Sequence, residues 1–153
     1  MRKLIGIGII FLTFVSCQYL NPLSSDKGLT EKIETKFESG NEIIDLSKLN
    51  SFEWNELLIL GPYSVIDNVE IKLNLDLENV RENGIEYSDS INLLVFLKDG
   101  KSVKISEVSR RVGDLLNMGK IIEKRNVEVK KFLKNFNILK CDTKELHLIK
   151  NID

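Results

Sequence analysis

The sequence is poor in the side chains that carry most enzyme chemistry, with one histidine and two cysteines in 153 residues. A solitary His147 excludes a paired-imidazole metal site, and Cys17 and Cys141 are too few for a zinc site built from cysteine pairs. The 2 prolines and 9 glycines exclude a collagen-like or proline-rich chain. Charge of one sign is missing as well. The 22 basic and 23 acidic residues leave a net charge of -1, and both signs are spread along the chain, unlike the basic footprint of a nucleic-acid binder. Glycine-rich phosphate loops are absent, since Gly6-Ile7-Gly8 sits inside an apolar stretch at the N-terminus. What remains is ordinary for a globular domain: 42% hydrophobic and 29% charged residues, in a chain long enough to bury a core even after an end is removed.

The N-terminus carries the clearest pattern. Met1-Arg2-Lys3 is a short basic start, Leu4 to Val15 is apolar apart from Thr13, and Ser16-Cys17 follows. This is the layout of a secretory signal, with a basic end, an apolar core and a small residue at the cut. A membrane-spanning helix needs about 20 apolar residues, and this run stops at Ser16. Phe14-Val15-Ser16-Cys17 resembles the lipobox of bacterial lipoproteins; Val15, Ser16 and Cys17 fit it, while Phe14 stands where that pattern prefers Leu. The resemblance implies cleavage between Ser16 and Cys17 and a diacylglycerol thioether on Cys17. At about 0.8 kcal/mol per buried methylene, two or three acyl chains hold a protein on a bilayer where one does not. Gln18 is not the Asp that resembles an inner-membrane retention signal, so an outer membrane is implied if the cell has two membranes. The expected organisation is a signal peptide at 1–16, a lipidated tether at 17–28 and a globular domain at 29–153. Fully stretched, the residues from Gln18 to Gly28 reach roughly 40 Å.

In the body, Thr30, Ile33, Phe37 and Gly40 suit a short capped helix. Ile43–Leu46 and Ser51–Leu60 are strand candidates, the second halted at Gly61-Pro62. Residues 65–77 fit two templates. Val69, Ile71, Leu73, Leu75 and Leu77 alternate as a strand does, while Ser64 and Asp67 stand at capping-box spacing before apolar residues recurring every fourth position. Ile91 to Leu97, the Asp99-Gly100 turn, and Val103 and Ile105 form the clearest hairpin. Lys120 to Phe136 fits a helix or a short turn before a strand at Val127–Val129, and 137–141 and 146–149 suit closing strands. The expectation is a single α+β domain, with an antiparallel sheet of about five strands and helices packed on one face.

Phe52-x-Trp54-Asn55, Leu60-Gly61-Pro62-Tyr63, Gly84-Ile85-Glu86-Tyr87-Ser88-Asp89 and Asn92 to Phe96 before Asp99-Gly100-Lys101 together resemble a family of small uncharacterised bacterial lipoproteins. The likeness spans roughly residues 42–112. Asn55 departs from the Asp usual after the Trp, and Leu60 replaces a frequent aromatic. The resemblance, together with the Ser64–Asp67 cap, favours a helix over 65–74, and it carries no activity.

Few residues suggest chemistry. With Cys17 lipidated, Cys141 is the sole thiol; it shares strand parity with His147 but lies too far along the chain to bond it without a turn at Asp142-Thr143-Lys144, and it reads as a buried thiol. Glu53 and Glu56 flank Trp54, and Asp67 and Glu70 follow Tyr63; paired carboxylates serve glycoside hydrolysis, but at this charge density they read as solvated surface. Lys98 to Lys104 and Arg110-Arg111 offer local positive charge for anionic lipid, with a solvated face as the plainer reading. Trp54 and Tyr63 are the candidate binding surface, as a stacking platform or else as the edge of the core. No catalytic residue, metal or cofactor is expected. The functional expectation is a non-enzymatic, membrane-anchored envelope module held by lipid on Cys17, binding an envelope protein and no nucleic acid. Its rival is an inhibitor or immunity-type lipoprotein blocking an enzyme or toxin, and a toxin gene next door would favour that rival.

Overall fold

Two apolar runs in the sequence become the two inner strands of the main sheet. The computed structural model describes residues 22–131. Strand β1 is Ile43–Asp45, β2 Glu56–Leu60, β3 Ile91–Lys98, β4 Lys101–Ser109, β5 Ile121–Glu123 and β6 Glu128–Lys130. Helix α1 is Lys27–Glu38 and α2 is Ile66–Leu73, with short 3-10 turns between elements. The main sheet has the order β4-β3-β2-β5, and β1 pairs with β6 in a second, two-stranded sheet; all these pairings are antiparallel. The class is α+β, as the sequence predicts.

The helices do not share one face of the sheet, and that corrects the expected arrangement. Leu57 and Ile59 of β2, with Leu94 and Phe96 of β3, face α1 and the β1–β6 pair, where Leu29, Ile33, Phe37, Ile44 and Val129 meet them. Leu58 and Leu60, with Leu93, Val95 and Leu97, face the other way, onto Ile66 of α2 and onto Leu77, Val80 and Ile85. A strand buried on both faces must be apolar at successive positions. The unbroken runs 57–60 and 93–97 therefore report a two-sided burial.

The β3–β4 hairpin forms where expected. Asp99 and Gly100 have φ of 52° and 77°, the pair of positive values that a two-residue turn needs to match strand twist. Between Phe96 and Leu97 the register shifts, with Phe96 opposite Lys104 and Leu97 opposite Ser102. Val103 is the extra residue of this bulge and is exposed, whereas Ile105 is buried.

Four local expectations change. Strand β2 begins at Glu56, not Ser51, because Trp54 turns its Nε1–H onto Leu49 O at 2.8 Å. Helix α1 starts before Thr30: Asp26 caps it by accepting from Leu29 N at 3.0 Å, and Thr30 Oγ1 instead meets Ser106 Oγ at 2.8 Å. Residues 23–28 are thus part of the domain and not tether. Over 65–77 the helix wins, leaving Ile71 82% exposed, but Ser64 does not cap it. Ser64 Oγ donates to Gly61 O at 2.7 Å, and Glu86 Oε1 accepts from Ile66 N at 2.7 Å in its place. Residues 120–131 follow the turn-and-strand alternative, as β5, a 3-10 turn and β6. Cys17, Cys141, His147 and the segments 137–141 and 146–149 lie outside the described residues.

Candidate functional site

Tyr63 stands just past the end of β2, where Gly61-Pro62 turns the chain off the sheet. A Cβ on Gly61 would sit 2.5 Å from Met118 Sδ, so a larger residue there would have to displace that methionine side chain. Tyr63 itself has φ of 59°, a left-handed conformation uncommon for a bulky residue. Its N–H is shared between Ile85 O at 3.1 Å and Ser88 O at 3.3 Å. Those two carbonyls bracket Tyr87 on the 3-10 turn Ile85–Tyr87. Two adjoining turns therefore present one tyrosine each, with Tyr63 60% and Tyr87 86% exposed, and Val65 also exposed beside them.

Arg110 fixes the neighbouring corner, where β4 ends. Its N–H donates to Ser90 O at 2.9 Å and its Nη1 to Asp89 O at 2.7 Å, which ties the β3 approach to the β4 exit. Its Nε donates to Asp114 Oδ1 at 2.6 Å. That hydrogen bond, with smaller contributions from the charges of Asp114 and Asp89 and against some loss of hydration, raises the guanidinium pKa above its ordinary value. Arg110 thus holds a cation next to Asp89, two residues from Tyr87, and Tyr and Arg are residue types enriched at protein interfaces.

Trp54 is not part of this surface. It is 4% exposed, its ring meeting Phe96 edge-on at 5.0 Å and Lys124 Nζ lying 4.9 Å over it. Phe52 stacks edge-on to Phe96 at 5.2 Å in the same cluster. Trp54 precedes β2 and Tyr63 follows it, so the strand holds them at opposite ends of the sheet. Of the two readings, a stacking platform or the edge of the core, Trp54 follows the second, while Tyr63 stands at the surface. Tyr87 lies between Ile85 and Ser88, whose carbonyls accept from Tyr63 N more than twenty residues away, and its signal in the sequence is its place in the Gly84 to Asp89 stretch.

The other candidates are dispersed. The Glu53 side chain is solvated and 3.9 Å from Lys98, and Glu56 lies on β2 opposite Leu97 and Glu123. Asp67 and Glu70 both contact Arg81, which also bonds Glu78 at 2.7 Å; the second Glu70 oxygen accepts from Leu77 N. These carboxylates fasten α2 to the turn after it. The lysines of the hairpin are matched one by one, Lys101 with Asp76 at 3.4 Å and Lys104 with Asp26 at 2.7 Å, so the expected positive patch is locally neutralised. Lys104, with Leu29 N, holds the Asp26 carboxyl below the usual carboxylate range. Among the described residues no group of three His, Cys, Asp or Glu is placed to hold a metal ion, and no helix is long and apolar enough to cross a membrane. No family model, curated protein or solved structure matches the chain.

Proposed function

We propose that this chain is a lipoprotein of the bacterial envelope, cut between Ser16 and Cys17 and held on a membrane by lipid on Cys17. Its domain is a non-enzymatic binding module that meets an envelope protein through Tyr63 and Tyr87. The membrane half of this reading is supported by the N-terminal sequence: basic start, apolar run and Val15-Ser16-Cys17. The binding half rests on one observation. Tyr63 is held at a φ of 59° with its N–H shared between two carbonyls, and the residue is 60% exposed on the turn adjoining that of Tyr87. A left-handed tyrosine costs the fold roughly 1–3 kcal/mol, and a solvated ring returns little of that through burial. A surface conformation maintained against that cost is accounted for by what the ring contacts in a complex.

Replacing Tyr87 by the photoreactive residue p-benzoyl-phenylalanine in the full chain, in the cells that make it, tests the binding half. The reading predicts one covalent adduct of defined mass, lost when Tyr63→Ala is added. No adduct, or one that persists in the Tyr63→Ala background, contradicts it. For the anchor, Cys17→Ala is expected to release the chain from the membrane fraction; retention there would contradict the lipid attachment.

A further inference from the structure

We propose that the anchored domain stands with its β3–β4 turn toward the bilayer and its Tyr63–Tyr87 end away from it, the lipid surface being what the turn end faces. The inference rests on the reading of Cys17 as the lipid site and adds an orientation to it. It follows from where the chain joins the fold. Leu23 N donates to Asn79 O at 2.8 Å, Asp26 N to Ile105 O at 2.9 Å, and Ser25 Oγ accepts from Glu107 N at 2.9 Å. Leu23 also packs against the core on the α2 side of the sheet. The chain is therefore fastened from residue 23 onward, which leaves only residues 18–22 between Cys17 and the first tie.

The direction of that fastening fixes the geometry. Ser25 bridges Ile105 in parallel, so moving back along the chain from Ser25 runs toward Lys101 and the Asp99-Gly100 turn. Leu23, two residues before Ser25, lies level with Val103 in the first half of β4. Asp76, bridged to Lys101 and bonded through its N–H to Gly100 O at 2.9 Å, stands at this same end. The six steps from Cys17 to Leu23 reach at most about 20 Å. From the level of Leu23 to Ser109 is also about 20 Å along β4, and the turns bearing Tyr63 and Tyr87 project from that far end. Laying the far end on the bilayer would demand a fully stretched tether; laying the turn end there demands none.

Charge does not set this orientation. Lys98, Lys101 and Lys104 at the turn end each have a carboxylate partner in Glu53, Asp76 and Asp26, so the end has little net attraction for anionic lipid. The chain length alone imposes it, and the orientation is expected to be the same on neutral and on anionic bilayers.

Energy transfer measures this directly. The full lipidated chain, purified from membranes with Cys141→Ser and either Lys101→Cys or Tyr87→Cys, is labelled with a donor. It is then placed on phosphatidylcholine vesicles whose headgroups carry an acceptor. Position 101 is expected to transfer at least about twofold more efficiently than position 87, given the roughly 20–27 Å that β4 puts between the two ends. Adding phosphatidylglycerol should leave the ratio unchanged, and a twenty-residue Gly-Ser insertion after Gln18 should bring it toward one. Equal transfer from both positions on vesicle-bound protein, or stronger transfer from position 87, overturns the orientation while leaving the anchor intact. A ratio that responds to phosphatidylglycerol and not to the insertion overturns it too. A chain that fails to float with the vesicles overturns the anchor, and the orientation with it.

Discussion

Tyr63 offers a clean separation of stability from binding, because its conformation and its ring act in opposite directions. Its φ of 59° is one that glycine adopts freely and an L-residue adopts at a cost of roughly 1–2 kcal/mol. Tyr63→Gly is therefore expected to leave the unfolding free energy from urea titration within about 1 kcal/mol of the parent, the relief of folded-state strain being offset by the greater freedom of the unfolded chain. The same variant should lose the adduct formed from position 87. A loss of several kcal/mol would make Tyr63 a structural residue. Asp26 is the converse case, a side chain whose value is in the fold. It caps α1 and bonds Lys104 at 2.7 Å, and Asp26→Ala is expected to cost about 1 kcal/mol by chemical denaturation, as cap removal does. Its pKa is lowered in the folded protein, so its contribution is complete above the unfolded value near 3.8 and fades as pH falls through the folded one. Between neutral pH and pH 5 the Asp26→Ala deficit should stay constant, and it should shrink below pH 4. A deficit that grows on acidification would contradict this assignment.

Glu86 tests the same logic for a whole element. Helix α2 takes its N-terminal hydrogen bond from Glu86, twenty residues away, and none from Ser64. Glu86→Ala should cost about 1 kcal/mol and loosen the Ile85–Tyr87 turn together with α2, seen as faster amide exchange in both. Ser64→Ala should leave α2 exchange unchanged; equal effects from the two variants would restore the local capping box. This element also shows why parts of the fold were legible in the sequence and parts were not. The β3–β4 hairpin declares itself because its turn, Asp99-Gly100, and its apolar strands are neighbours in the chain. The runs 57–60 and 93–97 announce strands but conceal how many faces are covered, since that depends on what packs there later. The Ser64–Asp67 spacing pointed to the right helix with the wrong cap, because a side chain from another element fills the role. Strands β5 and β6, three residues each, are too short to show a period. Tyr63 is visible in the sequence as a candidate, yet its nearness to Tyr87 is not, and the choice between platform and core for Trp54 stays open there because its ring cluster joins Phe52, before β2, to Phe96 of β3.

At the scale of the molecule, one sheet separates two cores. Phe37 belongs to the core under α1 and Ile85 to the core under α2. Phe37→Ala and Ile85→Ala should each destabilise by about 2–5 kcal/mol. With the sheet between them, the losses in the double variant should add to within about 0.5 kcal/mol. A large coupling would mean that the sheet transmits strain from one face to the other. The proposed lipid at Cys17 is the premise of the orientation and of the envelope partner alike. Intact-mass analysis of the chain isolated from cells is its most direct test. The account predicts a polypeptide beginning at Cys17 with diacylglycerol on its sulfur, and a chain without lipid mass when Cys17 is replaced by Ala. A mature chain that retains residues 1–16, or one that begins at Cys17 with a free thiol, would contradict it.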